Sequence, residues 1–360
     1  MKAKKLALVA LLATVSGYAG AQSSVTLYGL LDTGLAYVSN VGGGHRFSTI
    51  DGAHAPDLYG IRGVEDLGGG LSTIFDLEGQ FTISNGQVLI PGELFSWKSM
   101  VGLKSNDLGT LTLGHQPTFM FDVMAPFTTA YQAGSMLSLH QGNLDELASL
   151  YPANNTVKYA SPSYHGASFG AQFIFGGQPG NFAIGRGYSF FMRYENGPFS
   201  IGGVYANEND RLLDGTPFIG LKTILGTPLP GEVVANNIEN WGVGTSYTWG
   251  QWALHAAFTQ SRVTLMTGSG NANTVDAGVT WHPVPFDQLG VGTAIENFSG
   301  GHWNTYSVVN SYFVSKRTSL YQQVVYQHAS GSGAVASLGG IGPSSGASQL
   351  CVNFGITHAF

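Results

Sequence analysis

Charge is the scarcest thing in this chain. Asp, Glu, Lys and Arg together make up 10% of its 360 residues, where soluble domains carry about 25%. That excludes an ordinary soluble surface over most of the molecule. Basic residues are scarcer than acidic ones, 15 Lys and Arg against 21 Asp and Glu for a formal charge of −6. Nucleic acid, which needs a basic face, is thereby excluded as a partner. Cysteine is reduced to Cys351, so no disulfide can form within the chain. After residue 21 no apolar run approaches the length of a membrane-spanning helix, which needs about 20 residues. The ten histidines are not spaced as zinc-ligand pairs. Gly68-Gly69-Gly70 joins two strand-like runs instead of opening a helix, so it is not a phosphate cradle. No catalytic residue, metal or cofactor is assigned.

What is abundant is glycine, 52 residues, and aromatic side chains, 12%. They are set in alternating runs. At the C-terminus Leu350, Val352, Phe354, Ile356, His358 and Phe360 fall on one face, and Cys351, Asn353, Gly355, Thr357 and Ala359 on the other. Such period-2 alternation marks a strand between two different environments. A strand that ends on a bare Phe360 fits the closing strand of a membrane barrel, with its apolar face against lipid. The N-terminus agrees. Lys2, Lys4 and Lys5 followed by an apolar stretch, with Ala19 and Ala21 at small-residue positions, predict a signal peptide over 1–21 cut after Ala21. The barrel domain is then 22–360.

Sixteen strand-like segments fall near 24–37, 56–66, 71–82, 95–104, 109–116, 155–162, 167–176, 187–195, 198–207, 239–249, 251–262, 273–281, 288–297, 303–314, 318–328 and 349–360. Connectors after even strands are tight, such as Asn196-Gly197 and Trp249-Gly250, and most connectors after odd strands are long. Short turns at one rim and long loops at the other describe an antiparallel transmembrane β-barrel with both termini at the short-turn rim. The expected fold class is all-β.

Six fragments, in order, resemble the Gram-negative general porins of the β-proteobacterial type. They are Ser24-Val25-Thr26-Leu27-Tyr28-Gly29, Gly60 to Leu71, Leu108 to Gly114, Val157 to Pro162, Ser315 to Thr318 and Gly355 to Phe360. The resemblance implies a 16-stranded, water-filled barrel and a homotrimer in outer-membrane lipid and lipopolysaccharide. It implies passive diffusion of small hydrophilic solutes, and a third loop, about 117–154, folded inward as a constriction. It also implies that the terminal strand, through Phe360 and His358, is the signal read by barrel-assembly machinery.

For a channel, the chemistry lies in the charges that face the lumen. Arg62, Lys158, Arg193 and His115 are expected inward on the wall, with Asp76, Glu78 and Asp32 also on inward faces. A charge facing lipid near the midplane costs about 2–4 kcal/mol. On the loop, Asp122, Asp145 and Glu146 are the acidic candidates; Asn143-Leu144-Asp145-Glu146 also reads as the start of a short helix. Leu58, Ser72 and His115 stand where the family pattern carries basic residues. This thinned basic wall predicts a weak cation preference, or little selectivity, that drifts toward anions below a pH of about 6, as His115 charges. Two rival readings are a sugar- or carboxylate-specific channel, with Phe119, Phe121, Phe127 and Tyr131 as an aromatic lining, and a membrane-barrel enzyme. The apolar fifth loop, Phe218 to Leu225, is expected over the barrel mouth or against a neighbour.

Overall fold

The computed structural model describes residues 23–213, 216–229 and 232–360. The leader expected over 1–21 lies outside the described residues. The chain opens with β1 (Ser24–Val41), followed by β2 in two pieces, Gly44–Asp51 and Leu58–Gly68. Both pieces pair antiparallel with β1, the first along its upper half and the second along its lower half, so they are one interrupted strand. Then come β3 (Leu71–Gln80), β4 (Lys98–Ser105), β5 (Gly109–Gln116), β6 (Ala153–Ala160), β7 (Ala167–Ile174) and β8 (Gly187–Asn196). The longer strands follow: β9 (Phe199–Leu213), β10 (Val233–Trp249), β11 (Trp252–Leu265), β12 (Gly268–Val284), β13 (Asp287–Phe298), β14 (Gly301–Phe313), β15 (Thr318–Gly331) and β16 (Ser348–Ala359). Each strand pairs with the next, and β16 returns to β1 from Leu30 opposite Ala359 to Val38 opposite Cys351. The wall is therefore a closed antiparallel barrel of sixteen strands, and closure removes every unpaired edge.

Two features depart from the sequence expectation. The connectors at 42–43, 266–267 and 299–300 are two-residue turns, because the flanking strands run on past the alternating segments. β2 is broken at 52–57, where Pro56 has no N–H for the ladder. The excursion is tied to β1: Gly52 N–H donates to the Asp32 carbonyl (3.0 Å), His54 N–H donates to Asp32 Oδ1 (3.1 Å), and Asp32 N–H donates to Asp57 Oδ1.

The two faces differ as alternation requires. Val25, Leu27, Val243, Trp249, Leu254 and Ile356 are exposed on the outside. Water-soluble proteins rarely show apolar surface on this scale, whereas a lipid-facing band requires it. The inner face carries Thr305, Ser307, Gln323, Gln327 and Asn353, all buried beneath loops. At the seam, Phe360 exchanges backbone hydrogen bonds with Gly29 and lays its ring over it. A Cβ at Gly29 would lie 2.3 Å from that ring, so only glycine admits it.

The connector from 117 to 152 packs against inward-facing wall residues. Phe119, Met120, Met124 and Phe127 form one buried cluster with Phe191, Val204 and Ala257. The helix start expected at Asn143 is absent: Asn143 and Glu146 have φ of 47° and 65°, and the Asn143 side chain accepts from Ala148 N–H (2.8 Å). The fifth loop lies over the mouth, where Ile219, Leu221 and Ile224 are buried with Leu144, Ile238 and Trp303.

Candidate functional site

Two sets of polar residues face each other across the third loop. The first holds the loop to the tall wall. His140 sets Nδ1 2.6 Å from Asp145 Oδ2 and Nε2 3.1 Å from Asp276 Oδ2. An imidazole flanked this way donates from both nitrogens, which only the imidazolium can do. Burial alone would lower its pKa, but Asp145 overcomes that, and the ring is held well above its ordinary range. Burial would likewise raise the Asp145 carboxyl, and His140 holds it below the usual carboxylate range. Around this pair, Thr259 Oγ1 donates to Asp145 (2.6 Å), Thr129 Oγ1 to Asp276 (2.6 Å) and Gln141 N–H to Glu296 (2.6 Å). His255 Nε2 lies 3.6 Å from Asp276. Ser135 Oγ donates to Gln323 (2.6 Å), and Ser138 meets Ser307. Glu146 accepts from Thr118 (2.7 Å) and Asn240 (3.1 Å), and lies 3.7 Å from Arg211.

The second set lines the open side, between the loop and β3–β6. A cavity of about 310 Å³ is bounded by Asp76, Lys98, Gln116, Asp122 and Lys158, among others. Lys98 bridges Glu78 (3.5 Å) and Asp76 (3.8 Å), and Tyr28 donates to Asp76 (2.7 Å) and contacts Glu78. Arg62 lies over the Tyr28 ring at 4.8 Å and, among the described residues, forms no ion pair. Lys158 pairs with Asp122, donates to the Pro117 carbonyl (2.7 Å) and covers the Phe119 ring at 4.5 Å. Toward the long-loop rim a second cavity, about 200 Å³, is lined by Tyr131, Trp97 and apolar loop residues. Edge-to-face rings, Trp97 on Phe121 (5.8 Å) and Phe121 on Tyr131 (5.7 Å), link two of its lining residues.

A closed wall with an apolar exterior, enclosing a charged gap beside an anchored loop, is the geometry of a diffusion channel. Residues 7–332 match the family model described as Gram-negative porin. The chain belongs to the Gram-negative porins. It is 30% identical to outer membrane porin protein 32 of Delftia acidovorans over the full length of both. It is 28% identical to an outer membrane porin protein of Bordetella pertussis, over 88% of this chain and 92% of that one. Among solved structures it is similar to an anion-selective porin from Comamonas acidovorans, with a TM-score of 0.76 at 23% identity, covering 94% of this chain and 100% of that one. It is also similar to the trimer form of OmpT of Vibrio cholerae, with a TM-score of 0.67 at 14% identity, covering 94% and 99%. The Delftia and Bordetella relatives are named as outer membrane porins, and the Comamonas structure as an anion-selective porin.

Within this porin the sequence-selected residues part company. Arg62, Asp76, Glu78, Lys158 and Asp122 gather on the open side. Arg193 is also inward; it pairs with Glu195 (2.7 Å) and sits 5.6 Å from the Phe127 ring, away from the cavity. His115 corrects the sequence reading. The ladder pairs it with Ser99, on the same face as Val101 and Leu113, which are exposed on the outer wall. Gln116, on the same face as Thr112 and Gly114, takes the inward place, accepting from Thr112 and donating to Thr156. His115 is held instead by Asn154 Oδ1 (2.7 Å) and the Ser96 carbonyl (3.0 Å). Asp145 and Glu146 are not water-facing; both are buried ties to the wall. Asp32 is likewise buried, accepting from Thr357 (2.6 Å) and Tyr321 (3.1 Å) at the barrel seam. His358 is exposed beside Thr318 (2.9 Å). Phe119 and Phe127 pack the loop to the wall, and Phe119 also borders the open-side cavity beneath Lys158.

Sequence reasoning missed Lys98 and the His140–Asp276 tie. Lys98 was legible: Val101 and Leu103 face out, so Lys98, Met100, Gly102 and Lys104 face in. The tie joins residues 136 apart in the chain, and no local pattern announces it.

Proposed function

We propose that small hydrophilic solutes and ions cross this outer-membrane porin through the gap between the third loop and β3–β6. In this reading Arg62, Asp76, Glu78, Lys98, Asp122 and Lys158 set its field. The observation that carries the reading is the cavity in which both signs of charge meet, with Lys98 opposite Asp76 and Lys158 opposite Asp122. Paired charges leave little net field along the path, which supports weak ion selectivity. The wall remains short of basic residues, so the residual preference is for cations. The drift toward anions in acid, which rested on His115, loses its carrier with that residue outside the lumen. Reversal potentials across a KCl gradient test this: a cation preference that is small and nearly flat between pH 5 and 8 supports it, and a strong anion preference at pH 8 overturns it.

The same reading places the protein in the outer membrane as a homotrimer surrounded by lipid and lipopolysaccharide, after cleavage of the leader behind Ala21. Its insertion is guided by the Phe360 end. The trimer form of the similar Vibrio cholerae protein supports the oligomer. No observation favours a catalytic reading. Step sizes in planar bilayers that arrive in threes would support the trimer.

A further inference from the structure

The cavity on the long-loop side has a chemistry unlike the gap beneath it. Its wall is built largely from apolar and aromatic side chains, among them Phe81, Trp97, Tyr131, Leu139 and Phe218. The charged residues that border it are Asp51 and Asp57; no Lys, Arg or His of the described residues does so. Asp51 is occupied, accepting from Thr33 Oγ1 (2.9 Å) and Ser84 N–H (3.0 Å). Asp57 is 4% exposed and receives the Asp32 N–H on Oδ1, while Oδ2 has no hydrogen-bond partner among the described residues. A buried carboxylate oxygen left without a donor is costly. Burial, together with the neighbouring Asp32 and Asp51 carboxylates, lifts the Asp57 carboxyl to about 7.

A solute that suits this space has an apolar body for the walls and a positive end. Ring faces attract an ammonium through their quadrupoles, and the carboxylates do so directly, Asp57 increasingly as pH passes about 7, whereas an anion would meet only acids. A sugar, with hydroxyls on every side, would leave most of them facing hydrocarbon. Both solutes of the rival substrate-specific reading, sugars and carboxylates, are therefore disfavoured here.

We propose that the long-loop-side cavity is a selective subsite for small amines carrying an aromatic or aliphatic ring, which wait there before crossing the charged gap. This rests on the channel reading above and adds a solute class to it. The roughly 200 Å³ of the cavity accommodates one such ring-sized molecule at a time.

The test is single-channel current of the purified porin in KCl with phenethylamine, ethylamine or phenylacetate added on the long-loop side. Phenethylamine should interrupt the current at concentrations about tenfold lower than either control, since each control lacks one of the two features. Phe218→Ala and Leu139→Ser should each raise the concentration needed several-fold, and Asp57→Asn should do so for phenethylamine while leaving phenylacetate unchanged or more effective. Equal interruption by phenethylamine and phenylacetate, or no response to any of the three variants in channels of unchanged conductance, overturns the subsite while leaving the channel intact. A protein that carries no current at all overturns the channel reading beneath it.

Discussion

The barrel has two unlike walls. β3–β8 are 8 to 10 residues long, and along β3–β6 their inner face carries the charges around the gap: Asp76 and Lys98 part-exposed, Glu78 and Lys158 buried and paired, with Arg62 beside them. β9–β16 are 12 to 17 residues long, and much of their inner face is amide and hydroxyl, from Asn240 and Thr259 to Ser307, Gln323 and Gln327. Where that wall does carry acids, Asp276 and Glu296, they are buried under the third loop. Charge in the open costs little and can act on passing ions. Charge under a loop is expensive unless paired, and once paired it fixes the loop in one place. One sheet thus divides its labour: the short side faces the solute and the tall side grips the gate.

The largest expected effect breaks the grip. His140→Ala leaves Asp145 and Asp276 buried without their shared cation, and losing one partner of a buried pair costs about 3–5 kcal/mol. The strand ladders are untouched, so the barrel should still fold and resist denaturants. The loop should not stay put: single-channel current should become noisy and close at lower voltage. A quiet channel with unchanged closing voltage would show that the apolar contacts of Phe119, Met124 and Phe127 hold the loop unaided. Alkali should mimic the substitution. The imidazole is raised above its ordinary value, so its contribution is complete below a pH of about 6.5 and disappears as pH climbs through the folded value. Asp145, Asp276, Glu296 and His255 face it, and near neutral pH the imidazolium is what compensates these acids. Current noise should rise in alkaline buffer for the natural protein and stay level for His140→Ala.

An intermediate effect concerns closure of the wall. Phe360→Ala removes a ring laid over Gly29 at the seam between the first and last strands. The backbone exchange with Gly29 survives, so folded barrels should form but with a lower thermal transition, and a smaller yield in membranes if the terminal ring is read during assembly. Gly29→Ala should disturb the same seam from the opposite strand, because its Cβ would collide with the ring. Heat-modified mobility on gels measures both.

How much of this was legible follows the same division. The wall was readable almost strand for strand, because alternation repeats every two residues and a lipid exterior tolerates few exceptions. Ends of strands were less so: β1 and β12 extend through polar residues where the outer environment is no longer lipid and the alternation fades. The open side was half legible. Arg62 and Lys158 sit in regular ladder and point inward as expected, whereas His115 shares its face with outward Leu113, so strict alternation already set it outside and the inward expectation misassigned it. The grip was illegible. Asp145 looked like a helix start or a pore charge and is neither, since its partners come from Thr259 and a histidine that is itself fixed by Asp276 on another strand.

The smallest expected effect tests the short wall. Lys98 is about a third exposed, and its two ion pairs are long, 3.5 and 3.8 Å, so they add little to stability. Lys98→Ala should leave the folding stability within about 1 kcal/mol of the parent. Its effect lies in the field. Removing this cation frees Asp76 and Glu78 to face the passage, while Arg62 remains over Tyr28. The reversal potential should move toward cations by more than for Arg193→Ala, whose side chain is paired along its own strand with Glu195 away from the gap. The ordering of those two shifts is the measurement that matters, because equal shifts would mean that ions feel the charge of the whole lumen and not the residues that border the gap.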